Sequence, residues 1–304
     1  MIKIELIITF LVIFIYKPAI AQTKVFIPDT NFRSFLNDTF PTFMDITGDS
    51  LIADSATIFT GTLNCDNQNI ADLTGVEYFT NITELWCYDN LLDSLPDLSA
   101  NTALIGLSCS YNQLTSLPDL SANTALLSLS CDNNQLTSLP DLSANTELLE
   151  LRCFDNQLDS LPDLSANTAL LLISCSNNLL TSLPDLSANA ALEELSCDNN
   201  QLTTLPNLSA NTAFESLSCD NNQLTGLPDL SANTALSHIS CRNNQLTGLL
   251  DLSANIALEF LLIDNNLLTS LNISGSIDLQ VLHISNIPYL NKVCVWVMPF
   301  RRLV

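Results

Sequence analysis

The stretch "CDNNQLTSLPDLSANTELLELRC" runs from Cys131 to Cys153. It opens and closes on cysteine, and the chain says nearly the same thing on either side. Cys65, Cys87, Cys109, Cys131, Cys153, Cys175, Cys197, Cys219 and Cys241 follow one another at a constant spacing of 22 residues. Ile263 continues the series, and Ile284 extends it with one residue missing. These positions mark eleven turns of one repeated unit. A fixed period of this length is the signature of a solenoid, in which each unit contacts only its neighbours.

Within one turn the apolar positions are Leu126, Leu129, Cys131, Leu136, Leu139 and Leu142. The alternation in "LLSLSC" sends Leu129 and Cys131 to one side and Ser128 and Ser130 to the other, as in a strand. "LPDLSANTA" holds a proline and several turn formers, so it cannot continue as regular helix and is expected to be extended or 3₁₀-like. The conformational entropy of ordering a turn exceeds what its few buried side chains return, so no turn folds alone. Stacking lets neighbouring turns share their apolar faces, and repetition is how this sequence becomes a core.

The resulting pattern, L-x-x-L-x-C-x-x-N-x-L-x-x-L-P-x-L, resembles the leucine-rich repeat, with cysteine where the third leucine stands. The length resembles the internalin-like subclass of secreted bacterial (Bacteroidetes-type) proteins. The resemblance covers about residues 58–290. It implies a right-handed solenoid with one short parallel strand per turn on a concave face, a mostly non-helical convex side and a small helical N-terminal cap. It also implies that the asparagine column Asn90, Asn112, Asn134, Asn156, Asn178, Asn200, Asn222, Asn244 and Asn266 is buried and bonds backbone groups of adjacent turns. A buried amide needs such partners.

The cysteines invite a disulfide reading, because parallel strands lie about 4.8 Å apart. Stacked side chains point the same way, however, and a bridge wants Cβ atoms nearer about 3.8 Å. The column is expected to hold small buried hydrophobes. Zinc-type spacing is absent, since no two cysteines lie two to four residues apart.

Residues 1–21 read as a signal peptide: "MIK", an apolar stretch, then Ala19-x-Ala21 before Gln22. No other segment is apolar enough to span a membrane. Residues 22–57 are expected to cap the stack, with Phe32, Phe35 and Leu36 at helical spacing after Asp29. This region resembles the "IPDxNF" cap of secreted bacterial relatives, which often carries a calcium loop. Asp45, Thr47, Asp49 and Ile52 match that loop in order, while Ser50 replaces its glycine and Ala56 its bidentate glutamate. The two readings of this degenerate loop are calcium held at Asp45, Thr47 and Asp49, and a decayed loop kept for its shape. The tail 291–304 breaks the pattern and resembles a "VCVW" segment after which relatives continue into a sorting domain. A truncated C-terminus is therefore expected.

The chain has 304 residues, with 32 acidic and 9 basic side chains and a formal net charge of −23. That balance argues against nucleic acid and against anionic membranes. Function in such a fold lies on outward residues. The interface-forming types cluster early: Trp86, Tyr88 and Tyr111, then Arg152, Phe154 and Asp155. Later turns carry an acidic strip of Glu193, Glu194, Asp198, Glu215, Asp220, Glu259 and Asp264, interrupted by His238 and Arg242, which are expected to serve as local counter-charges. A second acidic column, Asp97, Asp119, Asp141, Asp163, Asp185, Asp229 and Asp251, runs through the "LPDL" segments, with Asn207 standing in once, and is expected to be solvated or to cap local turns. Neither His238 nor His283 sits in a nucleophile, metal or phosphate motif. The expectation is a secreted or surface recognition module that is not an enzyme, binding a protein through its concave face, in adhesion. The alternatives are a structural module, divalent-cation binding along the aspartates, and carbohydrate binding by the aromatic patch.

Overall fold

A computed structural model describes residues 22–295. The expected signal peptide and most of the tail lie outside the described residues.

The N-terminal end is closed by a small cap. Strands β1 (Lys24–Phe26) and β2 (Ser50–Ile52) pair antiparallel around helix α1 (Thr30–Thr39). Asp29 caps the helix, its Oδ1 accepting the N–H groups of Asn31 and Phe32 at 2.8 Å each. Its second oxygen accepts Ala71 N–H at 2.8 Å, which ties the cap to the first turn. Phe32 and Leu36 point inward with Ile27, Leu51 and Phe79, and Phe40 packs at 4.8 Å from Phe59 and 5.6 Å from Phe79. A short helix α2 (Ala53–Ala56) leads into the stack.

Each turn then contributes one strand to an eleven-stranded sheet. These are β3 (Gly61–Asn64), β4 (Ile82–Trp86), β5 (Gly106–Ser108), β6 (Ser128–Ser130), β7 (Glu150–Arg152), β8 (Leu172–Ser174), β9 (Glu194–Ser196), β10 (Ser216–Ser218) and β11 (His238–Ser240). Strands 260–262 and 281–283 complete it. All pairs are parallel, and Leu107, Leu129, Leu151, Ile173, Leu195, Leu217 and Ile239 lie opposite one another in one ladder. The repeat period fixes this register, because a slip of one residue would turn leucine outward and serine inward. The leucines of this ladder and all nine ladder cysteines are buried. Leu126, Leu136 and Leu142 are buried with them, while Leu139 and its equivalents Leu95, Leu117, Leu161, Leu183 and Leu227 are only partly covered.

The return side of most turns is irregular, as the proline-containing sequence predicts. A second sheet forms only near the C-terminal end, and this was not expected. It pairs Thr247–Asp251 with Leu267–Ile273 and Lys292–Val295, all parallel. Earlier turns place Pro96, Pro118, Pro140, Pro162, Pro184, Pro206 and Pro228 where this one has Leu250. Proline has no N–H to give a ladder, so strands appear where the proline column stops. Gly248 takes φ +73° at a register shift between Gly248 and Leu249, a conformation that glycine adopts without steric cost.

Candidate functional site

Two asparagine columns hold the turns together. In the expected one, each amide donates to the ladder-position carbonyls of its own and the preceding turn, both of them cysteines except at Asn266, whose own turn supplies Ile263 O. Asn178, for example, donates to Cys175 O at 3.1 Å and Cys153 O at 3.0 Å, and its Oδ1 accepts Leu158 N–H at 2.9 Å. The same set recurs at Asn90, Asn112, Asn134, Asn156, Asn200, Asn222, Asn244 and Asn266. The column is least enclosed at Asn112, Asn134 and Asn156, which are half-buried.

The second column lies within the turn-forming "SAN" segments: Asn101, Asn123, Asn145, Asn167, Asn189, Asn211, Asn233 and Asn255, all 0% exposed. Asn167 donates to Leu142 O at 2.9 Å and Asn145 O at 2.8 Å, and its neighbours repeat the arrangement. The Oδ1 of every member is buried without a partner. The signal was present in the sequence, as "SAN" at the full repeat spacing.

The cysteine ladder is unbridged, as the spacing argument predicts. Thiols of Cys65, Cys87 and Cys197 donate to carbonyls of the next turn at 3.4 Å. Burial pushes Cys65, Cys109 and Cys175 up to about 12 and Cys87, Cys131, Cys153 and Cys197 well above the ordinary thiol value. The protonated thiols are poor nucleophiles and poor metal ligands.

In the cap loop, the Lys24 ammonium sits 2.9 Å from Asp45 Oδ2 and holds that carboxyl well below the usual carboxylate range. Thr47 Oγ1 lies 2.7 Å from Asp45 Oδ1 and 2.8 Å from Asp49 Oδ1, and Gly48 N–H donates to Asp45 as well. The loop's carboxylates are thus bonded within the chain. Among the described residues no group of three or more His, Cys, Asp or Glu is arranged to hold a metal ion.

On the strand face, Trp86, Tyr88 and Tyr111 are exposed at 40%, 36% and 46%, and the two tyrosine rings lie 5.0 Å apart. Tyr111 has φ +55°. The equivalent residues Asn67, Asp89, Asn133, Asp155, Asn177, Asn199, Asn221, Asn243, Asn265 and Asn286 share this left-handed backbone. Asparagine and aspartate tolerate it, whereas a bulky side chain pays a steric cost. Arg152, half-buried, pairs with Glu150 at 2.7 Å, and Phe154 beside it is also half-buried. Asp155 holds the left-handed position, so its backbone has a shaping role.

The acidic strip divides in two. Asp198, Asp220 and Asp264 are not solvated charges: each accepts the backbone N–H of the equivalent residue one turn on, at 2.6, 2.6 and 2.7 Å. Asp220 also binds Arg242 through Nε at 2.8 Å and Nη2 at 2.7 Å. Arg242 therefore serves the stack. Glu193, Glu194 and Glu215 stay exposed and make no ion pair among the described residues. The "LPDL" carboxylates make Asx turns: Asp97, Asp119, Asp141, Asp163, Asp185, Asp229 and Asp251 each accept the N–H of the serine two residues on. Asn207 does the same through Oδ1.

No helix among the described residues is long and apolar enough to cross a membrane. No curated protein matches the sequence. A family model of two leucine-rich repeats matches residues 102–144. The functional domain of InlJ from Listeria monocytogenes, which includes a cysteine ladder, is 31% identical with a TM-score of 0.70 over 89% of this chain. The chain spans 63% of that domain, less than two thirds of its length. YopM, a leucine-rich effector protein from Yersinia pestis, is 30% identical with a TM-score of 0.64, over 77% of this chain and 71% of its own. The LRIM1/APL1C complex gives 28% identity and a TM-score of 0.62, over 73% of this chain and 42% of the matched one. With its stacked parallel strands, buried leucines and asparagine column, the chain belongs to the leucine-rich repeat proteins.

Proposed function

We propose that this chain is a non-enzymatic recognition module, secreted or displayed at the cell surface, that binds a protein partner through the strand face, with adhesion as the setting. The observation that carries the reading is Tyr111. A bulky aromatic occupies a left-handed position that every other turn gives to asparagine or aspartate, and it stands exposed beside Tyr88 and Trp86. Strain of that kind, kept where it adds nothing to the buried core, motivates a functional hypothesis. Exposed Trp and Tyr are the side chains that anchor interfaces. The likeness to one member of a protein complex and to an effector protein agrees with this reading. The apolar segment and Ala19-x-Ala21 motif at the N-terminus support export.

The test is binding of the labelled protein to arrays of matrix proteins, cell-surface proteins and glycans, beside a Trp86→Ala/Tyr88→Ala/Tyr111→Asn variant. Binding to a protein that the variant loses while remaining folded is the expected result. A hit that resists protease treatment of the target would move the reading to carbohydrate. Folded protein with no hit, or a hit that the variant retains, would overturn recognition by this patch.

A further inference from the structure

We infer that the strand face is divided along the stack to fit one class of partner: a polypeptide segment with an apolar portion joined to a run of lysine or arginine. The inference rests on the strand-face reading above and adds the chemistry of the partner.

The division lies in the column four residues before each cysteine. Its backbone is the same in every turn, each N–H donating to the equivalent carbonyl one turn back. Leu127 bonds Ile105, Leu149 bonds Leu127, Leu171 bonds Leu149, Glu193 bonds Leu171 and Glu215 bonds Glu193, all at 2.8 Å. Main-chain atoms carry the register, so the side chains are free to vary. After Thr83, and as far as Glu215, they change class once; Ser237 then separates Glu215 from Glu259. Ile105, Leu127, Leu149 and Leu171 form an exposed to half-buried apolar shelf, and Glu193 and Glu215 follow directly, with Glu259 two turns further on.

The apolar half contains a depression of about 260 Å³ between Trp86, Ile105 and Leu127, floored by Gly106. The neighbouring turns place Glu84 and Ser128 where Gly106 has no side chain, and the missing atoms open the hollow. It suits one apolar or aromatic side chain, with Trp86 as its wall.

The acidic half is uncompensated. Glu193 and Glu215 stand in one column of a parallel ladder, where like charges repel. Glu194 adds a third carboxylate, and none of the three has a cation among the described residues. Arg242, two turns on, is engaged by the buried Asp220. His238 is stacked on Phe260 at 4.4 Å. Repulsion left unrelieved on one face, in a chain of net charge −23, is relieved by a basic ligand. Ile105 and Glu215 are five turns apart, about 24 Å at the usual strand spacing, so an extended segment of about eight residues covers both halves. Its apolar part lies over the N-terminal turns and its basic part over Glu193, Glu194 and Glu215.

The proposal is tested by panning a phage-displayed library of 12-residue peptides on the full chain and measuring the enriched sequences as fluorescent peptides. The expected peptides carry an aromatic or aliphatic cluster and a Lys/Arg cluster in one fixed order. A Glu193→Gln/Glu194→Gln/Glu215→Gln variant binds them about tenfold more weakly at low salt and shows no difference from the parent near 1 M salt. An Ile105→Ser/Leu149→Ser variant binds about tenfold more weakly at any salt. These columns already hold polar residues in other turns, so the variants keep the fold, and an unchanged melting temperature verifies it. Peptides without basic residues, or with affinity indifferent to the glutamine variant, overturn the two-part partner. If the serine variant alone weakens them, strand-face recognition stands and only the basic requirement falls. A library that yields no binder overturns the two-part partner, and the array experiment then decides the broader reading separately.

Discussion

Replacing Asn178 and Asn167 by alanine, one at a time, separates the two ladders that cross the same stretch of stack. Asn178 donates to three backbone carbonyls, Cys153 O, Cys175 O and a shared contact to Ser176 O, and Asn167 to two. Each amide has two N–H groups, so each is counted as two bonds worth about 1 kcal/mol net apiece. In both cases the carbonyls keep another donor. Cys153 O retains Asn156, Cys175 O retains Asn200, Leu142 O retains Asn145 N–H and Asn145 O retains Leu148 N–H. The difference lies in the side-chain oxygens. Asn178 Oδ1 is the acceptor for the buried Leu158 N–H, and stranding that donor adds about 2 kcal/mol. Asn167 Oδ1 accepts nothing, so deleting it removes a buried unpaired carbonyl and returns about 1–2 kcal/mol. Asn178→Ala should cost about 4 kcal/mol and Asn167→Ala about 1 kcal/mol or less, before equal losses of packing. Guanidinium denaturation followed by circular dichroism reads the difference as a shift in midpoint, because each turn is coupled to its neighbours. Equal shifts, or a larger one at Asn167, would refute this account of donors and acceptors.

Three further outcomes follow from the same geometry. Tyr111→Asn in a Tyr88→Ala background, where no ring contact is lost, should raise stability by about 1 kcal/mol by relieving the left-handed backbone; a loss of stability on thermal melting would contradict that. Native protein at pH 8 should leave the nine ladder thiols unlabelled by iodoacetamide, with Cys294, which is only half-buried, as the reactive one, and all ten should label in denaturant; mass spectrometry gives the count. Serine N–H bonds hold Asp97, Asp141, Asp163 and Asp229 below the ordinary carboxylate range. Their depressed folded values favour the folded state above about pH 4, and that stabilisation is lost as pH falls through the folded values. In 0.5 M salt, which screens the net charge, melting temperature should therefore stay level from pH 7 to 5 and drop below about pH 4. Asp141→Asn, which copies Asn207, should soften that drop, and an unchanged acid transition would count against the turn bonds as its source.

The stack was legible because one period fixes everything that repeats: the leucine ladder, the unbridged cysteines and the first asparagine column. The cap helix was legible from Asp29, Phe32 and Leu36. What escaped was the bonding of repeated polar residues, because composition alone does not tell a solvated amide or carboxylate from a buried one. Asn167 and Asn145 were hidden among turn formers, and Asp220 and Asp264 among surface charges. Arg242 was legible as a counter-charge within the acidic strip, but not which carboxylate it takes: Asp220 lies one turn away, a contact that exists only after stacking. The second sheet escaped for a different reason. A single proline-to-leucine change at position 250 restores an N–H, and its effect depends on the strand beside it.

The division between stack and face gives the departures from the repeat their meaning. A residue at a leucine, cysteine or asparagine position answers to the turns on either side, and variation there is paid in stability. Positions four and three before the cysteine, and those just before and after it, keep their backbone bonds whatever side chain they carry. Near-identical turns would leave these positions serine, aspartate and asparagine throughout. Instead Trp86, Tyr88 and Tyr111 crowd into two neighbouring turns, leucines run from Leu127 to Leu171, and glutamates begin at Glu193. None of these choices adds to the buried core: the aromatics stay exposed, with the two tyrosine rings 5.0 Å from each other, Tyr111 strains its backbone, and Glu193 faces Glu215 without a counter-charge among the described residues. Changes that cost the free protein something and return nothing to its core are what the proposed partner-bound state would compensate. The same logic places any specificity in turns two to eight, where the face is least repetitive.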